Sequence, residues 1–313
     1  MKSIKENYNY DKDSDLDFID IFLAIWKSKH IIITTTAIAC VLIVLYALSL
    51  PNIYRSSALL APAPNSAGSL SGISSQYSDI AGLAGISLPS GGGEVDKVAI
   101  GIAIVKSYDF FEELMLKNNL YFKLIASKNW NAENNSLIID PDIYDISSSK
   151  WVSEAKFSVD GKPSIQSSHR NFPSHFSVSQ DKKTGFISLS FSHYSPHVAK
   201  EFLDVIITQI NEITRAEDIA IAKNTILFLE KEAKRNQLTN IRVGINNAIQ
   251  KQVEIISSAN SSPQYLFKIL SKPIAPEVKA QPSRAFICII GALLGFILSV
   301  SFVLIRHFFF KKA

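Results

Sequence analysis

Two long apolar blocks near the ends dominate the hydrophobic pattern of this chain. The first runs from Ile31 to Leu50 and the second from Ala285 to Ile305, and neither contains a charged residue. A helix rises about 1.5 Å per residue, so each block can cross the ~30 Å hydrocarbon core of a bilayer. The pattern therefore predicts two transmembrane helices. The first block is longer than a signal-peptide core and lacks a convincing cleavage site, which favours a retained anchor.

The segment between the two blocks contains several patterns that are typical of strands. The stretch IYRSSALLAP, which follows Pro51, predicts a first strand. HFSVSQ and GFISLSFS alternate apolar and polar residues on either side of DKKTG, and this predicts a β-hairpin. QYLFKILSKP predicts a returning strand after the last polar region.

The most distinctive pattern is helical and follows the hairpin directly. Ser195 and Pro196 are typical of a helix start, because serine caps the first turn and proline lacks an N–H that would go unpaired there. No further proline appears before Pro263. Apolar residues recur at helical spacing through about residues 196–258. This predicts either one rod of ~90 Å or two helices that are broken near Asn240–Gly244.

Further helices are predicted in the leader, in an early loop and directly after that loop. Leu16, Ile19, Leu23 and Trp26 recur at helical spacing beside acidic residues, which indicates an amphipathic helix on the inner membrane surface. After the first strand comes a long loop rich in Gly, Ser, Ala and Pro, with a short helix expected around SQYSDIAGLAG. The stretch EVDKVAIGIAIVKSYDFFEELMLKN then predicts one or two helices.

Lysine and arginine residues near the blocks predict the orientation, since they favour the cytoplasmic side. Lys27 and Lys29 precede the first block, and Arg306, Lys311 and Lys312 follow the second. We therefore expect an α+β membrane protein of the bacterial inner membrane with both termini in the cytoplasm. Its predicted parts are a cytoplasmic leader (1–30), a transmembrane helix (31–50), a periplasmic α/β domain with the long helix (51–284), a second transmembrane helix (285–305) and a short cytoplasmic tail (306–313).

Composition and motifs argue against an enzyme. The net charge is only +4, and no basic patch with interleaved aromatic residues suggests nucleic acid. Both cysteines, Cys40 and Cys288, lie in the apolar blocks, so no disulfide is expected outside the membrane. No P-loop, HExxH, GxSxG or CxxC motif occurs. His193 and His197 stand four apart but fit surface histidines better than metal ligands, so no catalytic, cofactor or metal site is expected.

Small residues mark one face of the second apolar block. Gly291, Gly295 and Ser299 are spaced four apart, with Ala292 beside them. Small side chains at this spacing let two helices approach closely in lipid, where no hydrophobic force drives association. The face predicts a packing contact with either the first transmembrane helix or a neighbouring subunit. Ordinary glycine content of a membrane helix is the alternative.

Several stretches, taken together and in order, resemble the chain length determinant proteins, which are polysaccharide co-polymerases of the Wzz type. The N-terminal anchor and first strand, the loop, the hairpin with its helix, and the return strand with its proline-rich exit all contribute. The stretches are DLDFIDIFLAIWKSKHIIITTTAIACVLIVLYALSLPNIYRSSALLAP, GLAGISL, DKKTGFISLSFSHYSPHVAKEFLDVIITQINE and QYLFKILSKPIAPEVKAQPSRA.

The resemblance implies a regulator that sets the chain length of O-antigen or a related surface glycan and has no catalytic site. It implies a bell-shaped homo-oligomer in the inner membrane, with a separate membrane polysaccharide polymerase, the lipid-linked glycan and membrane lipid as its partners. It also implies the kinase-free type, since only a few residues follow the second block and none suggest a nucleotide-binding domain.

Three prolines precede the second block, at Pro273, Pro276 and Pro282. Proline fixes φ and favours extended backbone, so we expect a stiff strap that holds the external domain at a fixed height over the bilayer.

Two other functions fit parts of the sequence. A periplasmic adaptor or export component for polysaccharide would also use long helices, but such adaptors usually have one anchor and a lipoyl-like module. A two-helix sensor would need a cytoplasmic signalling domain, for which the leader is too short.

Overall fold

The computed structural model describes residues 26–63, 97–152, 158–159, 161–235 and 238–310. The predicted helix of the leader and the helix expected around SQYSDIAGLAG lie outside the described residues, apart from Trp26 at the end of the leader pattern. The chain divides into two units. One comprises the N-terminal part up to Pro51 and the C-terminal part from Gln281, and the other is Asn52–Ala280.

The first unit is a pair of apolar helices, α1 (Lys29–Ser49) and α8 (Arg284–Phe310). Both are long and apolar enough to cross a membrane, with mean hydropathies of 2.6 and 2.7 over their most apolar windows. Most of their large side chains are exposed, as expected for surfaces that face lipid rather than a protein core. The two helices contact each other along their length.

The second unit is built on a four-stranded antiparallel sheet. Its strands are β1 (Tyr54–Pro62), β8 (Phe176–Gln180), β9 (Ile187–His193) and β10 (Phe267–Ser271), in the spatial order β10-β1-β9-β8. The register of β1 with β9 pairs Ala58 with Leu189, and β10 pairs with the other edge of β1. The first strand, the hairpin and the return strand are therefore all present, as the alternation of apolar residues predicted.

The hairpin between β8 and β9 is closed by a turn with the expected chemistry. Gly185 has a φ of +72°, a conformation that residues with a Cβ rarely adopt. Asp181 stabilises the turn because its side-chain oxygen accepts from the backbone N–H of Lys183 at 2.8 Å, while its carbonyl accepts from Gly185 N–H at 2.7 Å.

The core lies between this sheet and a long helix, α6 (Pro196–Arg235). Alternate residues of β9, among them Ile187, Leu189 and Phe191, are buried. The ring of Phe191 stacks on Phe202 with a centroid distance of 4.2 Å. Helices α2 (Lys97–Lys106) and α3 (Tyr108–Lys117) add to the same core, with Phe111 of α3 fully buried.

The long helical pattern forms two helices rather than one rod. α6 ends at Arg235, and α7 (Thr239–Ser261) follows it. The two helices contact each other, and Asn260 near the end of α7 lies in one groove with residues from the middle of α6, so they run antiparallel. The alternative of a single ~90 Å rod is therefore wrong, and the break precedes the predicted region. Gly244 lies within α7 and meets no other atom at the position of a Cβ.

The weakly patterned region before the hairpin contains short elements. These are α4 (Tyr121–Ile125), β2 (Ser127–Asn131), β3 (Ser136–Ile139), β4 (Tyr144–Asp145), β5 (Lys150–Trp151), β6 (Ser158–Val159), β7 (Lys162–Pro163), α5 (Ile165–Asn171) and a 3₁₀ turn (Phe172–Ser174). The strands form three separate two-stranded ribbons. Each is too short to show a clear period in the sequence.

Candidate functional site

The small residues of α8 lie against α1. A Cβ placed on Gly291 would be 2.5 Å from Cδ1 of Ile43, and one placed on Gly295 would be 2.9 Å from Cβ of Ala39. Neither distance leaves room for a side chain, so the close approach of the helices requires glycine at both positions. The sequence left two partners open for this face, the first apolar helix or a neighbouring subunit. In the structure the face packs against the first apolar helix.

A polar contact extends the same face by one turn. Ser299 is buried, its hydroxyl lies 2.5 Å from the Thr35 hydroxyl, and it also donates to the carbonyl of Ile32 at 3.3 Å. In lipid such a contact fixes the register of two helices, because a polar group turned towards hydrocarbon would lose its partner. Thr35 was missed from the sequence, although a run of three threonines inside an apolar block was an available signal.

The start of α6 is fixed by a buried histidine. Ser195 Oγ accepts from the backbone N–H of Val198 at 3.4 Å, and α6 begins at Pro196. The N–H of Ser195 donates to His193 Nδ1 at 3.1 Å. His193 Nε2 lies 3.0 Å from the carbonyl of Lys123, so the neutral ring donates there and accepts from Ser195.

The surroundings of His193 exclude the surface role expected from the sequence. The side chain is 3% exposed, and burial lowers its pKa from about 6.5 to about 4. Both ring nitrogens are engaged by backbone groups, so neither is available to a metal. The expectation of a surface histidine at position 193 is therefore wrong, since the ring is part of the core that supports α6. His197 is exposed.

A buried asparagine in α6 holds the returning strand. Asn211 is 3% exposed, and its Oδ1 accepts from the backbone N–H groups of Leu266 and Phe267 at 2.8 and 2.9 Å. Its Nδ2 donates to the carbonyls of Ile207 and Phe267. These bonds position β10 against α6. The only sequence signal was a polar residue between Ile210 and Ile213, which is unremarkable in a helix.

A second polar cluster joins α2, α6 and the chain before β10. Lys97 Nζ lies 2.8 Å from Asp218 Oδ2, and the Tyr265 hydroxyl donates to the same oxygen at 2.6 Å. Burial raises the pKa of the Tyr265 hydroxyl, and its bond to Asp218 raises it further. The cluster was not anticipated, because its members lie far apart in sequence.

The proline-rich segment does not form a uniform extended strap. Residues around Pro273 and Pro276 have no regular secondary structure, and the chain bends at Glu277 and Val278. Ser56 Oγ donates to the carbonyl of Ile274 at 2.7 Å, and the N–H of Ala280 donates to the carbonyl of Ile53 at 2.8 Å. The segment is therefore tied to the start of β1. Pro282 lies two residues before the start of α8.

The outer parts of α6 and α7 expose several large apolar side chains. Leu227 and Phe228 of α6 are 65% and 61% exposed, and Ile221, Leu238 and Val243 are also exposed. We call these five residues the apolar hairpin patch. Large apolar side chains that share one exposed surface are typical of a site that contacts another protein.

Comparisons with known proteins agree with the class that the sequence predicts. The family model described as chain length determinant protein, Wzz, matches residues 14–117, about a third of the chain. This match confirms the resemblance to the Wzz-type proteins, a class that regulates the chain length of polysaccharide. No curated protein sequence matches.

Solved structures that are similar to this chain include two polysaccharide co-polymerases. A full-length bacterial polysaccharide co-polymerase is 13% identical, covers 94% of this chain and 99% of its own, and has a TM-score of 0.38. A fragment of WzzB, a polysaccharide co-polymerase from Salmonella Typhimurium, is 8% identical, covers 74% of this chain and 100% of its own, and has a TM-score of 0.30.

Proposed function

We propose that this protein regulates the chain length of a surface polysaccharide, O-antigen or a related glycan, without catalysing its synthesis. The observation that carries the proposal is the family match across the first apolar helix and the elements that follow it. The separate polymerase would make the glycan bonds, and this protein would bias when extension stops. Its partners would be copies of itself, that polymerase, the lipid-linked glycan and the surrounding lipid.

The two apolar helices support a protein anchored twice in the inner membrane. The unit Asn52–Ala280 connects them, so both ends of that unit emerge on the same side of the bilayer if each helix spans it. The lysine and arginine distribution supports a periplasmic location for this unit and a cytoplasmic location for the termini.

The apolar hairpin patch supports assembly into a homo-oligomer. Isolated exposed apolar residues are common, but five on one helical hairpin are better accounted for by a partner that covers them. A ring or bell of identical subunits would bring the same patch of every copy into contact with its neighbour.

The strap of Pro273, Pro276 and Pro282 has a more limited role in this proposal. The hydrogen bonds between this segment and the start of β1 support a role in joining the first and last parts of the unit Asn52–Ala280. Replacing the three prolines by serine while glycan lengths stay unchanged would contradict any role in length control.

The decisive experiment compares the surface polysaccharide ladder of cells with and without this gene on a gel. We expect the deletion to replace a modal length by a broad distribution, while the amount of polymer on the surface is maintained. Restoring the gene restores the mode. Polymer that keeps its length but accumulates inside the cell would instead favour the export adaptor.

A further inference from the structure

A cavity of about 430 Å³ with polar and apolar lining residues lies between α3 and α6 in the unit Asn52–Ala280. Its volume falls within the range of ordinary ligand pockets, about 300–1,000 Å³. Asp204, Thr208 and Glu212 of α6 stand four apart and form one wall, while Glu113 and Asn118 lie at the end of α3. Val205 and Ile213 provide an apolar floor.

A glutamine in this cavity has an unused hydrogen-bond donor. Gln209 is 7% exposed, and its Oε1 accepts from Asn118 Nδ2 at 3.3 Å. Its Nε2 is buried and bonds to no group among the described residues. A buried donor without a partner is unfavourable, and the terminal torsion of glutamine is soft. A ligand acceptor in the cavity that Gln209 lines would satisfy this donor.

The set of groups suits a sugar. Carboxylates accept from the hydroxyl groups of a sugar, the glutamine amide donates to a ring or carbonyl oxygen, and the apolar floor suits a C–H face. The lining has three carboxylates, Glu113, Asp204 and Glu212, against one cation, Lys117. Lys117 pairs with Glu113 in the same helix, and Lys200, which lies outside the lining, pairs with Asp204 at 3.1 Å. Glu212 forms no ion pair among the described residues, and its negative charge disfavours an acidic sugar.

We propose that this cavity binds one uncharged sugar unit of the glycan whose length the protein regulates. This inference rests on the proposed function, and it identifies the cavity as the part of the protein surface that contacts the polysaccharide. A second cavity shares Glu212 and Ala216 with the first and continues along α6 towards Lys223. A polymer, unlike a free sugar, has further units to occupy that continuation.

Two threonines of α6 provide a matched test. Thr208 is exposed and Thr225 is half-buried, and each donates its hydroxyl to the carbonyl four residues earlier at 2.9 Å. Only Thr208 lines the cavity. Thr208→Arg places a long side chain across the cavity, whereas Thr225→Arg makes the same change elsewhere on the helix. Gln209→Met removes the amide while preserving the length of the side chain.

The measurement is calorimetric binding of lipid-free polysaccharide, purified from the cells that carry this gene, to the full-length protein in detergent. We expect Thr208→Arg and Gln209→Met to weaken binding by about tenfold or more, which corresponds to the loss of one or more hydrogen bonds. Thr225→Arg should bind as the unchanged protein does. Circular dichroism verifies that Thr208→Arg is folded, which keeps the test valid if Gln209→Met is not.

The outcomes separate the cavity from the function. If the unchanged protein restores a modal length in the deletion strain but binds no polysaccharide, or binds it equally well as Thr208→Arg, the cavity is not the sugar site. If the unchanged protein restores no modal length, the proposed function itself is wrong. Weakened binding together with a shifted modal length in Thr208→Arg, but not in Thr225→Arg, supports both.

Discussion

Asn211 and Phe267 are joined by a pair of hydrogen bonds between a helix and a strand. Oδ1 of Asn211 accepts from the backbone N–H of Phe267 at 2.9 Å, and its Nδ2 donates to the carbonyl of the same residue at 3.3 Å. The bond to the neighbouring Leu266 adds a third. One side chain thus fixes where the chain re-enters the sheet after the helical hairpin.

Asn211→Ala should therefore destabilise the unit Asn52–Ala280 strongly. It leaves two buried backbone N–H groups without an acceptor, and each costs about 1–3 kcal/mol. We expect the free energy of unfolding to fall by about 2–4 kcal/mol, with a decrease in Tm of about 5–15 °C. Thermal unfolding of the full-length protein in detergent measures this.

Asn224→Ala, at an exposed position of the same helix, is the control and should change Tm little. Equal Tm values for the two variants would refute the role of Asn211.

Gly291→Leu should disrupt the pair of apolar helices, because its Cβ would lie 2.5 Å from Ile43. We expect a lower Tm and a loss of modal-length control. Ile43→Ala removes the atoms that obstruct the new side chain, so the double variant should recover part of the stability that Gly291→Leu loses.

The control for this pair is Leu298→Phe, which enlarges a side chain that is 68% exposed on α8. We expect it to be tolerated. If Gly291→Leu leaves Tm and modal length unchanged, the contact between the two helices is not needed for either. If Ile43→Ala does not restore part of the lost Tm, the loss does not arise from the clash with Ile43.

His193 should make the stability of the unit Asn52–Ala280 sensitive to mild acid. Burial lowers its folded-state pKa to about 4 from about 6.5 in the unfolded chain, so the unfolded state binds the proton first as pH falls. Stability that is complete above pH 6.5 is lost progressively down to about pH 4, by up to about 3 kcal/mol.

The difference between two variants isolates this effect from other titrating groups. Tm measured from pH 7.5 to 4.5 should fall less steeply for His193→Gln than for the unchanged protein. Exposed His197, four residues away, provides the control, and His197→Gln should retain the full slope. Identical slopes for all three proteins would show that His193 does not control the acid response.

The sequence predicted the elements whose patterns are local. The apolar blocks, β1 and the β8–β9 hairpin all repeat a pattern over enough residues to be recognised, and turn residues such as Asp181 and Gly185 mark the hairpin. The break in the long helix was misplaced because Gly244 was the obvious weak point. A glycine in an exposed helix costs only about 1 kcal/mol, and packing of α7 on α6 can outweigh that.

The candidate sites were predicted less well because they depend on contacts between distant residues. Gly291 and Gly295 could be selected by spacing alone, whereas their partner could not. Asn211 and Gln209 look like ordinary polar residues of a helix until β10 and α3 are placed beside them. Hydrogen bonds between residues far apart in the chain do not produce a periodic pattern in the sequence.

The apolar hairpin patch should control assembly. Leu227→Ser combined with Phe228→Ser removes two side chains that are each more than 60% exposed, so the fold of one subunit should lose little stability. If neighbouring subunits cover the patch, the same change lowers the affinity between them and reduces the molecular mass of the protein in detergent, measured by light scattering.

Ile146→Ser, which alters an equally exposed apolar residue in a separate ribbon, should leave the mass unchanged. Glycan length should become less uniform only in the first variant, because length control by an assembled surface requires the assembly. An unchanged mass together with unchanged glycan lengths would exclude the patch as a subunit contact.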